Sequence, residues 1–391
     1  TTTNLQLPAT INLLQDGNLS ETINLLVADT VLYVDSLLPN QTYKFQASIQ
    51  PFNHSGLPAE GRHSSNELTV TTMDTTSHNF TWQSWEFGQH SSSTLYDVAI
   101  IDENNIWAVG EIYMLDSLGR PDPNAYNVVH WDGTKWELKR IYHYSQCNPV
   151  DYPPFRAIWA FSDTQIVLTS GGSIGWFNGK TNRPDCSIRP LLTGAINKLW
   201  GSSSEDLYAG GNNGNIAHWD GRKWTKIESG TTISISDIYG IVDNFQQKKI
   251  YCTVSDILNH PGFYKILVIT NNKIDSISWN KNRSTESVWA NSKNVIYISG
   301  GGVFQNKSGQ WIEELSLPLI YTNTIRATGL NDIFAAGAFG FIAHFNGSSW
   351  RVYEEFLNYQ SKSFYTLSVK NKTIVLVGFN EERALILMGN K

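Results

Sequence analysis

The chain has 391 residues, 41% hydrophobic and 16% charged, which supports one large core or two moderate ones and is too apolar for a disordered chain. Its 29 basic and 35 acidic residues give a net charge of -6 without long runs, which argues against a nucleic-acid reader or a polybasic membrane binder. No apolar stretch approaches the roughly 20 residues that span a bilayer, and no leader pattern is legible from Thr1, so the expectation is a soluble chain or a mature fragment. The 14 Trp, 17 Tyr, 17 Phe and 30 Gly, with few Ala-Leu-Glu-Lys blocks, point to an all-β fold.

In chain order, residues 1–76 differ in pattern from the rest of the chain. The string Thr30-Val-Leu-Tyr-Val-Asp-Ser-Leu-Leu-Pro-Asn-Gln-Thr-Tyr-Lys-Phe-Gln-Ala47 resembles the E and F strands of a fibronectin type III domain. The resemblance implies a corner in which the Tyr43 hydroxyl ties back to the preceding loop, with Leu68-Thr-Val-Thr-Thr72 as strand G. Too few residues precede Tyr43 to supply strands A and B with the usual core Trp. The expectation is a partial module whose start lies before Thr1; completion by another chain is the alternative. Such modules usually act as spacers.

From residue 79 the sequence is repetitive. The clearest copy contains Ile196-Asn-Lys-Leu-Trp200-Gly, Asp206-Leu-Tyr-Ala-Gly-Gly211, Asn215-Ile-Ala-His-Trp-Asp-Gly221 and Lys223-Trp-Thr-Lys-Ile227, four short strands a, b, c and d. Asp220-Gly221 suits a tight c-d hairpin, and the signal recurs at Asp132-Gly133, Asn178-Gly179 and Asn346-Gly347. Seven such units of roughly 43 residues predict a seven-bladed β-propeller of four-stranded blades. The seventh unit, ending in Ala384-Leu-Ile-Leu-Met388, lacks strand d. Asn79-Phe-Thr-Trp-Gln-Ser-Trp-Glu-Phe87 looks like Lys135-Trp-Glu-Leu, Lys223-Trp-Thr-Lys and Ser349-Trp-Arg-Val, strands d of other units. Residues 79–88 are therefore expected to pair with strand c of unit seven and close the ring, giving domains 1–76 and 79–391.

The string from Leu199-Trp-Gly-Ser-Ser-Ser-Glu-Asp-Leu-Tyr-Ala-Gly-Gly to Ile216-Ala-His-Trp-Asp-Gly-Arg-Lys-Trp224 resembles the repeat of secreted bacterial propellers similar to photosystem II assembly factors or to the sialidase-like superfamily. The resemblance covers residues 79–391. It implies a bacterial protein that is exported, extracellular or at the cell surface. The Ser-x-Asp-x-Gly-x-x-Trp boxes of sialidases are absent from the sequence. Cys252 alternates with apolar neighbours and reads as a buried thiol, whereas Cys147 and Cys186 flank unit two and are candidates for a bridge after export; three free thiols are the alternative.

Antiparallel strands place the b-c and d-a connections on one face of the disc, and the long ones (111–126, 143–154 and 255–262) all fall there; with Tyr142, which adjoins the second, they supply Tyr113, Tyr126, Tyr144 and Tyr152. Strands a begin on the same face. Aligning them puts Tyr96, Arg156, Asn197, Ser236, Glu286, Ile325 and Tyr365 around the tunnel mouth, followed by Asp97, Ala157, Lys198, Asp237, Ser287, Arg326 and Thr366. The ligand-binding candidates are Tyr96, Asp97, Arg156, Lys198, Asp237, Glu286 and Arg326, as a polar cup for a sugar or peptide. The blander reading is a water-filled channel with self-neutralising charges. His130, His218 and His344 occupy equivalent positions on different blades and diverge, which suits packing better than a metal site. Trp159, Trp200, Tyr239 and Trp289 recur with the repeat and suit inter-blade packing better than a sugar platform. Ser170-Gly-Gly172 and Gly300-Gly-Gly302 precede no helix, so no phosphate cradle and no cofactor is expected.

The function these features favour is a non-catalytic exported binding propeller that recognises an extracellular glycan or protein through its long-loop face. One alternative is a carbohydrate hydrolase or lyase using Asp97, Asp237 or Glu286, which requires paired carboxylates about 5 to 9 Å apart. Another is a structural segment of an extracellular assembly.

Overall fold

A computed structural model describes residues 7–27, 32, 34, 37–49, 63–145, 148–150, 152–242, 247–292, 295–307 and 309–391. It divides into two compact units, Thr1–Thr76 and Ser77–Lys391.

The described part of the first unit is one antiparallel sheet in the order Asn18–Leu25, Ala9–Gln15, Thr42–Ile49, with His63–Ser64 and Leu68–Thr71 both paired to Thr42–Ile49. The first hairpin turns at Asp16-Gly17, where φ is 50° and 80°, the pair of left-handed conformations a two-residue turn needs. That hairpin is absent from the sequence-based assignment. The backbone N–H of Leu38 donates to the Tyr43 hydroxyl at 2.8 Å. Most of 30–36, expected as strand E, lies outside the described residues.

The second unit holds seven four-stranded antiparallel sheets among the described residues. Their innermost strands are Thr94–Asp102, Ala157–Ser162, Ile196–Ser203, Ile235–Val242, Thr285–Ala290, Thr324–Gly329 and Lys362–Lys370. Each packs on the next and the seventh packs on the first, so the sheets form a closed ring. In the seventh sheet, Thr81–Phe87 pairs antiparallel with Arg383–Asn390, from Thr81 opposite Asn390 to Phe87 opposite Ala384.

Alternation of apolar residues on both faces of each sheet arises from this stacking, because each sheet is covered on both sides by neighbours. There is one apolar cluster per interface: Val109, Phe155 and Leu168 between sheets one and two, Ile235, Ile250 and Tyr208 between three and four, Ile106, Val377 and Ile386 between seven and one. The closing strand takes part in the last of these, since Trp85 lies 5.6 Å from Trp131 and 6.1 Å from Trp136 between ring centroids. Cys252 is free and buried, and burial pushes its thiol pKa up. Cys186 is disulfide-bonded; Cys147 lies outside the described residues.

Candidate functional site

The innermost strands converge on the ring axis, and a recurrent bulge shapes their first turn. In sheets one, three, four, five and seven the register slips by one residue, leaving Tyr96, Asn197, Ser236, Glu286 and Tyr365 unpaired. An extra residue in one strand locally increases twist and re-aims side chains. The residue after each bulge then faces the axis: Asp97, Lys198, Asp237, Ser287 and Thr366. Sheet six departs from the sequence alignment. Thr322 N–H bonds the Gly300 carbonyl as Ile196 N–H bonds Gly171 and Phe364 N–H bonds Gly337. Asn323 therefore takes the bulge position and Thr324, opposite Ala336, the axial one. Ile325 is fully buried rather than at the mouth, and Arg326 sits two positions deeper than expected.

That depth decides what Arg326 does. Its guanidinium grips Asp237 with both ends, Nη1 to Oδ2 and Nη2 to Oδ1, each at 2.8 Å. Asp237 Oδ2 also accepts from the Ser287 hydroxyl at 2.6 Å and from Val288 N–H at 3.1 Å. Burial pulls the Asp237 pKa up, but Arg326 and these donors outweigh it and leave the carboxyl below its ordinary value. In sheet one Asp97 makes the equivalent link, accepting Ile158 N–H at 3.1 Å, and takes Lys198 Nζ at 3.2 Å. Lys198 also donates to Thr366 Oγ1 at 3.3 Å. The two ion pairs span the axis as a floor. Below it is a cavity of about 190 Å³ lined by Val98, Trp159, Tyr239 and Ala327. Above it, toward the mouth, is one of about 150 Å³ lined by Ser236, Glu286, Asn323, Thr324 and Tyr365.

Among the described residues, Glu286 is the carboxylate of the upper chamber with no cation of its own. Its Oε2 accepts the Tyr321 hydroxyl at 2.9 Å, and burial pushes its pKa up to about 7. Across the mouth, Arg156 is exposed, with its guanidinium 4.0 Å above the Tyr96 ring. Tyr96 donates to Glu111 Oε1 at 2.5 Å and Tyr113 to Oε2 at 2.8 Å. Tyr365 stacks beside Tyr96 with centroids 5.9 Å apart. The structure thus brings Asp97, Lys198, Asp237, Glu286 and Arg326 to the two chambers and sets Tyr96 and Arg156 on the rim. Asp237 and Glu286 share a chamber, but Asp237, 1% exposed, is held by fixed donors and is not free to accept a proton from a substrate. Tyr321, Asn323 and Thr324 escaped the sequence reading, because the polar run Tyr321-Thr-Asn-Thr324 looks like a loop rather than the start of a strand.

The three strand-c histidines stay apart. His130, His218 and His344 bond through Nε2 to Asn105 at 3.1 Å, Asp206 at 2.7 Å and Asp332 at 3.0 Å, each the first residue of strand b in the same sheet. Each ring stacks on an aromatic of that strand, Trp107, Tyr208 or Phe334, at 4.0 to 4.4 Å. Ser202 and Thr328 donate to the aspartates and not to the histidines, so neither hydroxyl is set up as a nucleophile. Among the described residues no group of three His, Cys, Asp or Glu side chains is placed to hold a metal ion. Trp159 of sheet two and Trp200 of sheet three lie 6.3 Å apart, and Trp159 packs against the same apolar cluster that holds Trp200.

The mouth face is also where apolar side chains stay in water. Leu118, Leu258, Phe263, Leu315, Leu319 and Tyr359 are 62% to 87% exposed. All lie in b-c or d-a connections, which leave the sheets at the end where Thr94 pairs with Glu111. Among the described residues of this unit, the large exposed apolar side chains away from the mouth are Val242 and Ile312.

No family model matches the sequence, and no curated protein matches it. Solved structures do. YCF48 bound to D1 peptide superposes with a TM-score of 0.58 at 13% identity, over 79% of this chain and 97% of that one. YCF48 from Cyanidioschyzon merolae gives 0.55 at 13%, over 79% and 98%. The WD40 β-propeller domain of Doa1 gives 0.58 at 12%, over 80% and 98%. The fold is a β-propeller. At these identities the likeness extends to the fold alone, and the ring of sheets described above is what it matches.

Proposed function

We propose that residues 79–391 are a seven-bladed, non-catalytic binding propeller that holds a protein segment or a glycan on its mouth face, carried by a partial fibronectin type III-like module over 1–76. The observation that carries the reading is the segregation of exposed leucines and aromatics to that face, above a rigid ring. Exposed large apolar side chains gathered on one face of a scaffold point to an interaction surface. Apolar loops favour a protein ligand over a sugar, and one of the similar structures, YCF48 bound to D1 peptide, is a peptide complex of a propeller. An exported setting accords with the disulfide at Cys186, since such bonds persist in oxidising compartments.

The test is selection from a displayed random-peptide library and a glycan array, both on the full chain. Enriched peptides should lose binding to Leu258→Ser, Phe263→Ser and Leu315→Ser variants and keep it to Val242→Ser on the opposite face. Equal loss in Val242→Ser, or enrichment of neither ligand class, removes the reading.

A further inference from the structure

We propose that the upper chamber is a socket for one basic side chain, an alkylammonium or guanidinium presented by the bound ligand and held by the Glu286 carboxylate beside the Thr324 hydroxyl. This deepens the binding reading above and rests on it. Three features of the chamber support it. Both cations that line it are already committed, Lys198 to Asp97 and Arg326 to Asp237, which leaves Glu286 as the charge without an ion-pair partner among the described residues. Glu286 has one carboxylate oxygen on Tyr321 and its other oxygen without a hydrogen bond among the described residues. Thr324 lines the same space at 2% exposure, and its Oγ1 is buried with no hydrogen-bond partner. A buried acceptor left unmade costs free energy, and an incoming N–H donor would restore it. An ammonium supplies three donors and a guanidinium five, and neither has an acceptor to leave unsatisfied. An anionic group in the chamber would instead meet Asp237 and Glu286, and neither lining cation, Lys198 or Arg326, is free to receive it.

The charge logic fixes a pH response. Glu286 faces Tyr321, Asp237, Lys198 and Asp256, with Arg326 on the floor. Of these groups it is the one raised into the neutral range, to about 7. A cation binds the ionised form, so binding should strengthen as pH rises through that value and weaken below it.

The experiment is saturation-transfer NMR on the full chain with three probes at millimolar concentration: N-acetyl-lysine methylamide, N-acetyl-arginine methylamide and the neutral N-acetyl-norleucine methylamide. The expected result is saturable binding of one or both cations, at least tenfold tighter than norleucine. It should fall at least tenfold in Glu286→Gln, several-fold in Thr324→Val, and between pH 8 and pH 6. Melting temperatures of both variants check that the ring is intact. Norleucine binding as tightly as the cations, cation binding unchanged in Glu286→Gln, or no cation binding overturns the proposal. Should mouth-face peptides be selected that lack a basic residue and ignore Glu286→Gln, the socket is wrong while the binding surface stands.

Discussion

Replacing Arg326 by Met should be among the most damaging single changes in the ring, although Met keeps an apolar stem beside Tyr239. Asp237 is 1% exposed and receives two of its hydrogen bonds from this guanidinium. Without Arg326 the carboxylate keeps, among the described residues, the Ser287 hydroxyl and Val288 N–H as donors. Removing one member of a buried ion pair typically costs about 3 to 5 kcal/mol, because the other charge stays in low dielectric unpaired. At roughly 2 °C per kcal/mol for a unit of this size, the melting temperature should fall by about 6 to 10 °C. The control is the double variant Arg326→Met/Asp237→Asn, which removes the stranded charge and should recover at least half of the loss. Differential scanning fluorimetry and near-UV circular dichroism, run on wild type, both single variants and the double variant, make the comparison. A loss below about 1 kcal/mol in Arg326→Met, or no recovery in the double variant, would refute the claim that the floor is an electrostatic unit.

The ring closure, a buried histidine and the cysteines each carry a further expected outcome. Deleting residues 79–88 removes the strand opposite Arg383–Asn390 and exposes both Trp85 contacts, so the melting temperature of the ring should drop sharply; an unchanged value would show that closure contributes nothing. His143 is fully buried, and burial lowers its pKa to about 4, so the unfolded chain binds the proton first as pH falls. Its contribution is complete above pH ~6.5 and is lost on descending toward pH 4, by up to about 3 kcal/mol, and His143→Phe should flatten that part of the stability profile in melts at pH 7 and pH 5. Thiol titration in denaturant should find Cys252 reactive before reduction and Cys186 only after it; reactivity of Cys186 without reductant would contradict its disulfide.

The repeat was legible because each copy carries its own turn chemistry. The Asp-Gly and Asn-Gly pairs at 132–133, 178–179, 220–221 and 346–347 place glycine at φ of 84° to 99°, where a side chain is costly. In sheet six the polar run Tyr321-Thr-Asn-Thr324 hid the start of the innermost strand, and alternation alone does not say how far along that strand Arg326 lies. The shift by two kept the pleat parity, so Arg326 still faced the axis in the expectation and only its depth was wrong. Depth separates a rim residue open to ligand from one clamped on Asp237. The hairpin at Asp16-Gly17 obeys the same turn rule, but a module expected to lack its first strands left no place for it. The unpaired state of Glu286 was not legible at all, because it depends on which cations across a ring are already occupied.

Antiparallel pairing puts Asn390 directly across from Thr81, so the two ends of the ring's chain path meet at one edge of one sheet. A short turn between them would make the seventh sheet continuous, and a cut in a d-a loop would then open a new pair of ends with the same ring behind them. The seam is a property of chain connectivity and not of the assembled sheets: this protein should tolerate circular permutation, and the order in which its sheets leave the ribosome is separable from the order in which they stand around the axis.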